Sequence, residues 1–75
     1  MTFLLRRTLF NEDPVRSHAL DEWRTAASLV RERWDRLLIA EPTARPASYA
    51  AYVAALDLEA AAADELAGLS FRQAA

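Results

Sequence analysis

Proline lacks a backbone N–H and its ring collides with the preceding helical turn, so prolines decide where helices begin and end. This chain has three, Pro14, Pro42 and Pro46, and a single glycine, Gly68. Asn11-Glu12-Asp13-Pro14 reads as a helix start, with Asp13 as N-cap and Pro14 at the first helical position. The segment that follows should stay helical to about Ala40, because Pro42 disfavours the α conformation at Glu41. Residues 41–46 then form a loop, and a second helix starts between Thr43 and Ser48, with Pro46 tolerated in its first turn. Gly68 reads as the residue just past the helix end, with Leu69 folding back onto Ala63.

The spacing of apolar residues supports two amphipathic helices, about 14–40 and 46–67. In the first, Val15, Ala19, Trp23, Ala26, Ala27, Val30, Trp34, Leu37 and Leu38 recur at intervals of three and four on one arc. Asp21, Arg24, Thr25, Ser28, Glu32, Asp35 and Arg36 occupy the opposite arc, with Glu32 and Arg36 placed for an i,i+4 ion pair. In the second, the arc is Tyr49, Tyr52, Val53, Leu56, Ala60, Ala63 and Ala67. A short loop makes the two helices antiparallel neighbours. Tryptophans on one helix facing alanines on the other would let the backbones approach closely, with Tyr49 and Tyr52 near the loop beside Trp34 and Leu38.

Such a hairpin has little to bury. Seventeen of the 75 residues are Ala, and alanine removes little area from water. There is no Cys, so neither a disulfide nor a thiolate metal site can compensate. Leu20, Ala27 and Trp34 flank the main seam of the first helix, giving an apolar arc wide enough for a bundle of three or four helices. The expectation is one all-α domain over 1–75 that completes a four-helix bundle as a homodimer. The alternative is that the N-terminal arm, residues 1–12, folds back as a third layer. Its sequence suits either a strand or a helix. Residues 69–75 read as a loose C-terminal tail.

Charge excludes some partners. Nine basic and eleven acidic residues give a net charge of −2 and a pI near 5.2. Arg24, Arg31, Arg33 and Arg36 are interleaved with Glu22, Glu32 and Asp35, which makes a mixed solvated surface and not a basic stripe for nucleic acid. All the basic residues are Arg; that usage, with abundant Ala, suits a high-GC bacterial genome. MTFLLRRTLF has its arginines after the apolar patch, unlike a signal peptide, and no apolar run approaches the roughly 20 residues that span a bilayer. The expected location is the cytoplasm, away from membranes.

Catalytic and metal chemistry find few residues to use. His18, Asp21 and Glu22 resemble half a metal site, but the order is reversed from the Glu-x-x-His pairs of di-metal bundles and the cluster falls on the polar arc. One glycine rules out a glycine-rich phosphate loop, and no serine sits in a nucleophile-elbow motif. Segment 41–46 lacks the WxG turn of small secreted helical hairpins, and no Asp-Ser-Leu carrier motif occurs. Neither a cofactor set nor an enzyme is expected.

Glu59 is the exception among the charges, because it falls inside the apolar arc of the second helix. A carboxylate buried there must pair, shift its pKa or bind something. Arg31 or Arg24, or an arginine of a second subunit, is the expected partner. These readings leave a non-enzymatic protein–protein interaction module, an adaptor or regulatory subunit, with Trp23, Val30, Trp34, Leu37, Tyr49, Tyr52 and Leu56 as core or interface. A small-ligand-binding bundle with a pocket around Trp34, Tyr52 and Glu59 is the alternative. A transcription-linked accessory factor is the third.

Overall fold

The computed structural model describes residues 13–74, with side chains through Leu69. The arm 1–12, and with it the choice between strand, helix and third layer, lies outside the described residues. What is described is two helices, α1 (Pro14–Ile39) and α2 (Arg45–Ala74), packed against each other as a hairpin.

The start of α1 is capped as its sequence demands. The Asp13 carboxylate accepts hydrogen bonds from the Val15 and Arg16 N–H groups at 3.1 and 3.2 Å, and its carbonyl accepts from Ser17 at 3.0 Å. Pro14 occupies the first position, where no N–H is needed. At the other end, Ala40 turns extended (ψ 139°) just ahead of Glu41-Pro42, and Arg36 lies in the last turn, where a cation suits the helix dipole. The connection is tighter than a six-residue loop. The Glu41 carbonyl accepts from both Ala44 and Arg45 N–H (2.9 and 3.0 Å), so the chain is already winding at Pro42. Pro46 then sits at the second residue of α2, within the first turn.

The end of α2 corrects the sequence reading. Gly68 has no positive φ and the helix passes through it to Ala74, so neither the glycine C-cap nor a loose tail from 69 forms. No proline follows to stop the helix, and the mid-helix glycine costs only about 1 kcal/mol. Continuing the helix also carries half-buried Leu69 into register with the hairpin seam.

That seam has a clear repeat. In α1 the buried or half-buried positions include Ala19, Trp23, Ala26, Val30, Arg33, Leu37 and Ala40. In α2 they include Ser48, Tyr52, Ala55, Glu59, Ala62, Leu66 and Leu69. Both runs alternate steps of four and three, the spacing of knobs-into-holes packing. The only buried apolar residues among those described are Ala19 (2% exposed) and Ala55 (1%). Small residues therefore occupy the most deeply buried points of the seam, one on each helix.

A second correction follows for α2. The expected arc was Tyr49, Tyr52, Val53, Leu56, Ala60, Ala63 and Ala67; apart from Tyr52, every member lies one residue after a seam position. One residue is roughly 100° around a helix. The apolar residues of α2 ring it almost evenly, so periodicity alone does not choose its inward face. Packing against α1 turns the Ala55–Ala62 side inward, together with Tyr52, Glu59 and Leu66.

Candidate functional site

The one-residue rotation leaves a second column on each helix, in which Leu20, Ala27, Val53 and Ala63 are half-buried and the rest are exposed. Moving each α1 seam position forward by one gives Leu20, Arg24, Ala27, Arg31, Trp34 and Leu38. The same shift in α2 gives Tyr49, Val53, Leu56, Ala60, Ala63 and Ala67. Right-handed helices running antiparallel turn in opposite senses when seen from one end, so equal shifts bring both columns to the same face of the hairpin. Trp34, Leu38 and Tyr49 are 43%, 64% and 58% exposed there, and Leu56 is exposed too. Trp34, Tyr49 and Leu56 were expected in core or interface and Leu38 on the apolar arc; in this hairpin all four lie outside its buried interior. Trp23, Val30, Leu37 and Tyr52 are half-buried in the seam.

Between the two columns runs an open groove lined by Trp23, Ala27, Val30, Arg31 and Trp34 of α1 and Tyr52 and Glu59 of α2. Its volume is about 480 Å³. Trp34 and Tyr52 meet across the hairpin, ring centroids 5.2 Å apart and planes inclined at 49°, a tilted contact of the kind worth roughly 0.5–1.5 kcal/mol beyond burial. This contact also sets the register. One residue forward on α1 matches one back on α2, which puts Glu59 across from Ala27 and Ala55 across from Arg31.

Glu59 is half-buried in this groove, and no buried polar or charged side chain occurs among the described residues. Arg31 lines the same groove, yet among the described residues no ion pair joins Glu59 to Arg31 or to Arg24. The buried carboxylate expected from the sequence is thus a partly solvated one in the single hairpin.

The remaining charges are used locally. His18 Nε2 lies 2.7 Å from Glu22 Oε1, Arg24 lies 3.9 Å from Asp21, and Arg36 lies 2.9 Å from Glu32 as its spacing foretold. All three pairs are largely exposed, so each is worth roughly 0.2–1 kcal/mol. Asp21 and Glu22 lie beyond the first turn of α1, where the helix dipole no longer helps them. Among the described residues no group of three or more His, Cys, Asp or Glu side chains is arranged to hold a metal ion.

The opposite flank of the hairpin carries a second open groove. His18, Asp21, Glu22 and Thr25 border Ala26, Leu29, Leu58 and Ala62 there. Leu58 (57% exposed) is a large apolar residue the sequence reading passed over. So is the position of Arg33, half-buried in the seam beside Ala47, Ser48 and Ala51, where a guanidinium at an inward heptad position could not be told from a surface one.

No helix among the described residues is long and apolar enough to cross a membrane. The fold and the exposed seam define an antiparallel helical hairpin with an unused apolar face. Comparison with protein-family models, curated proteins and solved structures finds no match for this chain.

Proposed function

We propose that this chain is a non-enzymatic helical interaction module that self-associates through its second seam, two hairpins making a four-helix bundle. The observation carrying this reading is the pair of heptad columns one residue out of phase with the packed ones, which leave Trp34, Leu38, Tyr49 and Leu56 exposed on one face. A helix that packs on a single neighbour needs one narrow stripe; a bundle helix needs an arc of about this width. A hairpin whose only buried apolar residues, among those described, are Ala19 and Ala55 gains little from hydrophobic burial by itself. Covering the aromatic face supplies the missing area, and contiguous apolar surface of this kind marks interaction sites.

Gel filtration with light scattering tests the reading. The expected mass is twice 8.4 kDa at micromolar concentration, and 8.4 kDa throughout a dilution series would refute it.

A second reading has one specific observation in its favour: Trp34, Tyr52 and Glu59 do line one groove, of a volume that suits a small molecule. The groove is open along one side, whereas small-ligand sites usually enclose most of their ligand. It therefore ranks behind association, which closes the same space. A chain that stays monomeric, with tryptophan emission responding to small aromatic cations, would put it first.

A further inference from the structure

The exposed face carries three charges, Arg24, Arg31 and Glu59; Arg24 lies 3.9 Å from Asp21 of its own helix, and the other two bear on how a second copy sits upon the face. Glu59 and Arg31 both line the groove without an ion pair between them. Glu59 stands near the middle of α2 (Arg45–Ala74), across from Ala27 near the middle of α1 (Pro14–Ile39). Arg31 lies one helical turn further toward the loop, about 6 Å along the axis, a distance an arginine side chain spans.

Two copies stacked face to face have two symmetric choices. A two-fold axis across the hairpin lays α2 on the partner's α2 with the loops at opposite ends. Glu59 then meets its own copy near the centre of an apolar interface, and like charges in such a place are costly. A two-fold axis along the hairpin lays α1 on the partner's α2, antiparallel, with the loops at the same end. Glu59 then stands within one turn of Arg31 of the partner subunit, and the symmetry makes the pair twice.

Resting on the self-association proposed above, we infer that the occupant of this face is a second copy of the chain with its loop at the same end. Two reciprocal ion pairs, each joining Glu59 to Arg31 of the partner subunit, select that orientation. The same stacking sets Leu20 of α1 above the small residues Ala63 and Ala67 of the other chain, and Trp34 near Tyr49 and Leu56. An isologous contact of this form is closed, so it stops at two chains.

Charge reversal in the full-length chain tests it. Arg31→Glu leaves only carboxylates at the two positions, and Glu59→Arg leaves only guanidiniums. Each variant alone should self-associate roughly tenfold more weakly than the unchanged chain, while a mixture of the two should recover the original affinity as a heterodimer, because both cross pairs are restored. Orientation is measured separately by spin-labelling Thr43→Cys, an exposed loop position in a chain without other cysteines. Loops at one end place the labels within about 30 Å, whereas loops at opposite ends separate them by roughly the length of α1, about 39 Å or more. Long distances, or a mixture no tighter than its components, overturn the inference while a dimeric mass leaves the interaction module standing. A monomeric mass overturns both.

Discussion

Gly68→Ala separates two descriptions of the same residue by the sign of one number. If the chain turned left-handed at Gly68 to end α2, an alanine there would carry a Cβ penalty and destabilise the protein by about 1 kcal/mol. In the structure Gly68 has no positive φ, lies inside α2 with six residues after it, and a Cβ built on it meets nothing within 4 Å. Alanine then meets no steric cost and removes conformational freedom from the unfolded chain, a gain of about 0.4–1 kcal/mol. Nearness to the helix end favours the lower half of that range, because terminal turns fray and realise only part of the propensity. For a domain this small the shift in Tm is roughly +2 to +6 °C. Thermal melts followed by far-UV circular dichroism, at equal chain concentration because association raises Tm, measure it. A fall of several degrees would refute the continuous helix and restore the glycine cap with Leu69 folded back.

Three further expectations rest on other parts of the hairpin. Asp13→Ala removes the acceptor for the Val15 and Arg16 N–H groups and should lower stability by about 1 kcal/mol, read from urea unfolding; no change would mean the cap is not formed in solution. Ala55→Leu puts a branched side chain at the closest point of the seam and should cost about 1–3 kcal/mol, while Ala61→Leu, on an exposed position, should stay within about 0.5 kcal/mol. Equal effects from the two would reject the alanine seam. Trp23→Phe leaves Trp34 as the single indole, and its emission should shift to the blue as concentration rises and the face is covered; a spectrum independent of concentration would count against that face as the interface.

Much of this architecture was legible without coordinates. The prolines, the Asp13 cap and the three-four spacing located α1, the start of α2 and the antiparallel arrangement, because these signals act within a few residues and do not depend on what packs against them. The Glu32–Arg36 pair and the meeting of Trp34 with Tyr52 followed from helix geometry and a short loop. The groove that joins Trp34, Tyr52 and Glu59 was anticipated as a set of residues. Its openness, and the absence of an ion pair on Glu59 among the described residues, were not.

The sequence by itself determined two helices and their order, since local capping, proline sterics and periodicity are properties of short stretches. Only the tertiary structure decided which side of α2 turns inward. An alanine-rich helix that is apolar nearly all round has several faces of similar hydrophobicity, so its inward face is set by packing against α1 and not by its own periodicity. That packing put Ala19 and Ala55 inside and left Trp34, Leu38, Tyr49 and Leu56 out. α2 also runs past Gly68, where the local signal for a stop was weaker than the continuation of the helix.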